Sequence, residues 1–159
     1  MKIKIMNKLL GKKAPNFELM STLNKNIELK KVKSKYIVLF FYPKDDTPGC
    51  TLETKDFNSL INKFEKMDCV IFGISKDNLK SHLKFKKKYK IKFELLSDEN
   101  KSVIKSFKTW GKKKFMGKEF MGQIRSTFLI KNNKIINEWR NVRVKNHASE
   151  VLNFIKHDK

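Results

Sequence analysis

Cysteine, proline, glycine and arginine are all scarce in this chain, and each shortage removes a class of protein. Two cysteines, Cys50 and Cys69, close at most one bridge, far short of the framework that staples small secreted scaffolds. Three prolines and six glycines among 159 residues leave no collagen-like, proline-rich or glycine-rich segment. No apolar run approaches the roughly 18 residues that cross a bilayer as a helix. The opening stretch MKIKIMNKLLGKK is charged, and Lys8 interrupts its short apolar part, so no signal peptide is expected. A reducing cytoplasm is the compartment these shortages imply.

Acidic side chains are also few: 16 Asp and Glu stand against 37 Lys and Arg, a net charge of +21. Such a balance attracts phosphate by counterion release. Only Arg125, Arg140 and Arg143 are arginine, however, and arginine is the residue suited to bidentate contact with phosphates and bases. The lysines run from Lys2 to Lys159, densest in KKVKSK and KFKKKYK, without the interleaved aromatics of single-strand binders. They read as a solvated surface, which predicts only weak, salt-sensitive nucleic-acid binding. Neither a specific nucleic acid nor a membrane is expected as partner, and the chain is expected to be a monomer.

Enough remains to build a core, with 40% hydrophobic residues and thirteen phenylalanines. The length fits one domain spanning residues 1 to 159, and strand and helix patterns alternate along it, which predicts an α/β fold. NFELMS and NIELKKV flank the turn-prone TLNK as a hairpin. YIVLFFY, residues 36 to 42, is a continuous apolar run and predicts a central strand covered on both faces. Leu52, Phe57, Leu60, Ile61 and Phe64 fall near helical spacing and predict a helix over residues 50 to 66. CVIFGIS reads as a second buried strand. Asp77 is expected to cap a helix through NLKSHLKFKKKYK whose apolar face includes Leu79, Leu83 and the step from Phe85 to Tyr89. FELLSD, the short helix NKSVIKSF, the hairpin STFLI and KIINEW across KNNK, and the amphipathic HASEVLNFIKH complete the order.

One thiol stands where chemistry would place it. Cys50 follows Thr47, Pro48 and Gly49 at the start of the first long helix. A cysteine reacts as its thiolate, which a helix N-terminus or a fixed cation stabilises. The TPG turn can aim backbone N–H groups into the same pocket, and the Thr47 hydroxyl both accepts and donates. Arg125, isolated in an arginine-poor chain and opening RSTFLI, is the candidate cation. Burial as a small apolar side chain is the competing role for Cys50. His82, His147 and His157 show no metal-ligand spacing and are expected at the surface or at helix ends, so neither metal nor cofactor is expected. Glu53, one turn beyond Cys50, either joins the pocket or simply favours the helix dipole. Lys44, Asp45 and Asp46 read as solvated loop charges. Trp110, Phe115, Met116, Phe120 and Met121 are expected mainly to pack, with an apolar mouth to the pocket as the alternative.

PKDDTPGCTLE resembles the Pro-x-x-x-Thr-x-x-Cys motif of peroxiredoxins, in the form found in the bacterioferritin comigratory protein, or peroxiredoxin Q, subfamily of the alkyl hydroperoxide reductase and thiol-specific antioxidant superfamily. APNFEL, GKEFMGQIRSTFLI and VRVKNHASEVL agree in the same order, so the resemblance covers residues 11 to 155. It implies a thioredoxin-like fold with an N-terminal β-hairpin extension and a thiol peroxidase acting on hydrogen peroxide and organic hydroperoxides. By position, Cys50 resembles the peroxidatic cysteine, Thr47 its hydroxyl partner, Pro43 the shield of the pocket and Arg125 the activating arginine. Many members carry a resolving cysteine five residues after the first, where this chain has Lys55, and the helix predicted after Asp77 contains none. Cys69 opens an apolar strand and reads as structural. The resemblance therefore implies one-cysteine recycling by an external thiol such as thioredoxin, glutaredoxin or glutathione. A redox sensor or thiol oxidoreductase on the same fold is the alternative, although the chain lacks Cys-x-x-Cys.

Overall fold

A computed structural model describes residues 8 to 158 of the chain. The reading of the first residues as free of a signal peptide thus falls mostly outside the described part. The order is β1 (Glu18–Ser21), β2 (Asn26–Glu28), a 3-10 turn (Leu29–Lys31), β3 (Tyr36–Phe41), α1 (Pro48–Ser59), α2 (Ile61–Lys66), β4 (Cys69–Ser75), α3 (Leu79–Tyr89), β5 (Glu94–Ser97), α4 (Ser102–Ser106), β6 (Trp110–Phe115), β7 (Lys118–Gln123), β8 (Ser126–Lys131), β9 (Lys134–Arg140) and α5 (His147–Lys156).

Seven strands form one mixed sheet in the order β2-β1-β5-β4-β3-β8-β9, and β6 and β7 form a separate hairpin. β3 runs parallel to β4 and antiparallel to β8. Every residue of β3 is buried, as its unbroken apolar run predicts. Alternate side chains serve opposite faces of the sheet. Tyr36, Val38, Phe40 and Tyr42 pack with Phe57, Phe64, Phe85 and Leu152 from α1, α2, α3 and α5. Ile37, Leu39 and Phe41 pack with Leu29, Ile104, Phe107 and Phe128 on the other. The Phe40 and Phe57 rings stack with centroids 4.8 Å apart, which fixes α1 against the strand that feeds it.

Three details of the sequence reading change. The helix predicted over residues 50 to 66 starts earlier, at Pro48, and breaks at Leu60 (φ −103°, ψ 7°) into α1 and α2. No proline or glycine marks that break, so periodicity could not locate it. Asn78, not Asp77, caps α3, its side chain accepting from the Ser81 amide at 2.8 Å. Leu52 and Leu83, assigned to apolar faces, are exposed. The sequence reading missed β6–β7 altogether. Its two-residue turn, Met116 and Gly117, has positive φ at both positions (54° and 79°) and joins the facing pair Phe115 and Lys118. That is the backbone a tight hairpin needs, and glycine supplies half of it freely.

Candidate active site

β3 ends beside the start of α1, and the five residues between Tyr42 and Pro48 form the loop that carries the predicted site. Thr47 is the N-cap of α1 in extended conformation, Pro48 and Gly49 follow, and Cys50 is the third helical residue. The first intrahelical bond runs from the Thr51 amide to the Thr47 carbonyl at 2.8 Å. The amides of Gly49 and Cys50 precede it and have no partner within the helix, so the positive end of the helix lies at the thiol.

Cys50 is 1% exposed. Arg125, the residue before β8, reaches across the loop: its Nη2 donates to the Cys50 sulfur at 3.5 Å while its Nη1 donates to Glu53 Oε1 at 2.8 Å. A Cβ added at Gly49 would lie 3.1 Å from Arg125 Nη2, so glycine lets the guanidinium close on the helix start. The Arg125 carbonyl accepts from the Val142 amide at 2.9 Å, which fixes the strand end. Burial works against the Arg125 charge, but the Glu53 carboxylate and the Cys50 sulfur outweigh it and hold the guanidinium protonated above its ordinary range. The planar fork thus spans a carboxylate and a thiol at once, which a lysine could not do.

Glu53 joins the pocket. It is buried, its Oε2 has no hydrogen-bond partner among the described residues, and desolvation raises its carboxyl from the ordinary 4.5 to about 7 against the opposing pull of Arg125. A raised value means that folding favours the protonated form. The stability from this group is therefore complete below about pH 4.5 and is lost as the pH rises through about 7. Glu53→Gln keeps the shape and removes the titration. Between pH 5 and pH 8 the variant should gain on the parent by up to about 3 kcal/mol in urea unfolding. An equal difference at both pH values would show that Glu53 is not the titrating group.

The other predicted residues are placed less directly. The Thr47 hydroxyl donates to the Lys44 carbonyl at 2.9 Å, which leaves its lone pairs free to accept. Pro43 is half-buried in the loop, and its carbonyl accepts from Lys76 Nζ at 3.4 Å. Neither is seen bonded to Cys50. Lys113 of β6 is half-buried; burial, then the Arg125 charge, hold it below the ordinary lysine range, with the Cys50 sulfur acting in the opposite sense. The hairpin therefore lies within electrostatic reach of the thiol.

Several residues dismissed in the sequence reading hold the loop in place. Asp45 is buried, not solvated: its carboxylate accepts from the Tyr42 hydroxyl at 2.6 Å and from the Ser81 hydroxyl at 2.8 Å, and faces His82 Nδ1 at 2.7 Å. His82 is buried as well, with Nε2 3.0 Å from the Leu96 carbonyl. The Asp45 amide donates to Asp77 Oδ2 at 2.8 Å, and that same oxygen accepts from the Ser75 hydroxyl. The spacing of His82, Phe85 and Tyr89 along one helical face was the available signal for His82. His147 is also buried, with Nε2 2.8 Å from the Thr127 hydroxyl, and burial lowers its basicity. Asp45, Asp77 and His82 bring ligand-type atoms within 4.8 Å of one another. Those atoms are engaged in the hydrogen bonds above, which makes the cluster a clasp between the Cys50 loop and α3.

Cys69 lies elsewhere. It pairs with Tyr36 at the start of β3, whereas the loop to Cys50 leaves from the end of β3, where Phe41 pairs with Ile74. Burial, aided by Asp68, pushes its thiol up to about 12. Lys55 is exposed on α1, with its ammonium 5.7 Å from the centre of the Tyr89 ring.

Comparison with known proteins follows the same residues. The model of the AhpC/TSA family matches residues 10–139. Peroxiredoxin Bcp of Bacillus subtilis is 47% identical over 148 residues, covering 92% of this chain and 94% of its own. A putative peroxiredoxin bcp of Helicobacter pylori is 46% identical over 149 residues, covering 92% and 98%. Peroxiredoxin Q of Xanthomonas campestris superimposes with a TM-score of 0.85 at 37% identity over 90% of this chain and 92% of its own. A structure of the Xanthomonas campestris bacterioferritin comigratory protein, studied for its alkyl peroxide reduction activity, gives 0.83 at 36% identity, covering 88% and 90%. These likenesses bear out the expected thioredoxin-like fold.

Proposed function

From the premise that the chain belongs to the AhpC/TSA family, as a peroxiredoxin and so a thiol peroxidase, we propose that Cys50 is the thiol that takes the peroxide oxygen and that an external thiol restores it. The observation that carries this reading is the Arg125 fork, bonded at once to the Cys50 sulfur and to buried Glu53. The Cys50 thiolate attacks one peroxide oxygen, the S–O bond forms as the O–O bond breaks, and the leaving oxygen takes a proton to become water or alcohol. Arg125 and the free amides at the start of α1 stabilise negative charge on sulfur and on the departing oxygen. Thr47, three residues before, accepts the hydrogen of the attacked peroxide, and Pro43 screens the loop side of the pocket.

The product is a cysteine sulfenic acid. A thiol then attacks its sulfur, releasing water and leaving a mixed disulfide, and a second thiol frees Cys50 as the thiol while the reductant leaves as a disulfide. Thioredoxin, glutaredoxin and glutathione all supply this chemistry. The absence of a cysteine at Lys55 and on α3 supports the one-cysteine route, as does the placement of Cys69 beside the start of β3, at the opposite end of that strand from the Cys50 loop. Mass spectrometry after one equivalent of peroxide, with a sulfenic-acid trap present, tests it. The adduct should fall on Cys50. A dominant Cys50–Cys69 linked peptide would overturn the one-cysteine route.

A further inference from the structure

The described residues expose nine large apolar side chains, and four of them sit on β6–β7: Phe115 (69% exposed), Met116 (84%), Phe120 (47%) and Met121 (54%). The other five, Leu10, Met20, Leu23, Leu52 and Leu83, are spread over other parts of the chain, where single exposed apolar groups are ordinary. The hairpin belongs to no other sheet. The expectation that these residues mainly pack is therefore wrong for all but Trp110, which is half-buried against the second core. Lysines are interleaved with the apolar groups. Lys113 faces Phe120, Lys118 faces Phe115, Lys112 faces Met121, and Lys114 faces the lone acid, Glu119. Four lysines and one glutamate leave the hairpin at +3 on a chain already at +21.

An occupant of this surface must accept apolar groups at the tip and negative charge around them. A second copy fails the charge condition, because it would set +3 against +3 between two strongly cationic chains. Nucleic acid meets the lysines but gives no reason for Phe115 and Met116 at the outermost turn, and the hairpin has no arginine for base or phosphate forks. A bilayer surface with anionic headgroups meets both. We propose that β6–β7 docks the protein on anionic lipid, with Phe115 and Met116 in the interfacial zone and the lysine ammonium groups extended to the headgroup phosphates. No helix of the described residues is long and apolar enough to cross a membrane, so this is attachment to one face. The sequence predicts no membrane partner because it holds no spanning run, and a short amphipathic hairpin leaves no such signal. Its strand β7 is followed by Ile124 and then by Arg125, so the base of the docked hairpin leads directly into the residue that bonds the Cys50 sulfur.

Co-sedimentation of the full chain with vesicles of phosphatidylcholine alone, or of phosphatidylcholine with phosphatidylglycerol, tests the proposal. Binding should require phosphatidylglycerol and weaken with salt. The double variant Phe115→Ser/Met116→Ser should bind the anionic vesicles at least about tenfold less well, while Leu23→Ser on the β1–β2 turn binds as the parent does. Both variants should consume hydrogen peroxide at the parent rate, which shows that they fold. Equal binding by parent and double variant would mean adsorption through scattered lysines and would overturn the proposal. So would binding indifferent to phosphatidylglycerol, or self-association or DNA binding lost in the double variant. Failure on vesicles with peroxidase activity intact would sink docking alone, and the reverse result would sink only the peroxidase assignment.

Discussion

Cys50→Ser is expected to abolish peroxide turnover, to the background of the external thiol alone. The substitution keeps the size of a side chain that is 1% exposed and buried against the first core, so the pocket should survive it. What it removes is the sulfur nucleophile that Arg125 bonds, and a serine hydroxyl in its place has no general base within the described contacts to activate it. Cys69 cannot stand in. Its strand register places it opposite Tyr36, five residues from the end of β3, or roughly 17 Å along the strand at about 3.3 Å per residue. A disulfide needs Cα atoms within roughly 7 Å. Cys69 is moreover held as the neutral thiol by burial, with its pKa pushed to about 12. Cys69→Ala should therefore retain most of the turnover when peroxide consumption is followed with glutathione or a dithiol as reductant. Substantial activity in Cys50→Ser would remove Cys50 from its role, and loss of turnover in Cys69→Ala with the fold intact would overturn the one-cysteine route.

The parts of this site that could be read from sequence were those whose chemistry is local. Thr47, Pro48, Gly49 and Cys50 are adjacent, and a turn before a helix start dictates what their backbone does. β3 was equally plain, because a strand covered on both faces has to be apolar throughout. Arg125 stood out only by rarity; its contact with a thiol 75 positions earlier comes from the antiparallel pairing of β8 with β3. Asp45 and His82 were misjudged because a buried carboxylate and imidazole are hidden by their partners, and those partners, Tyr42, Ser81 and the Leu96 carbonyl, come from three separate elements or loops. β6–β7 was missed for the opposite reason. It buries little, so neither face shows the alternation that burial imposes on an ordinary strand.

Arg125→Ala should slow the reaction of Cys50 with hydrogen peroxide by about 10²- to 10³-fold, the usual cost of removing a charged donor aimed at developing negative charge. The guanidinium has two tasks, and the substitution ends both. It removes the bond to the Cys50 sulfur, and it strips Glu53 of the only cation bonded to it among the described residues. An uncompensated buried carboxylate is costly, on the order of 3 kcal/mol or more, so the single variant will also lose stability. Loss of rate by itself would then be ambiguous. The double variant Arg125→Ala/Glu53→Gln separates the two tasks, because the neutral amide needs no cation and should recover much of the stability. If Arg125 acts on the sulfur, the double variant regains its urea midpoint while its single-turnover rate with peroxide stays low. Arg125→Lys should fall between, since a point charge can approach the thiol or the carboxylate but cannot fork to both. A double variant that recovered the rate together with the stability would show that Arg125 serves only to neutralise Glu53, and the electrostatic activation of Cys50 would have to come from the helix start alone.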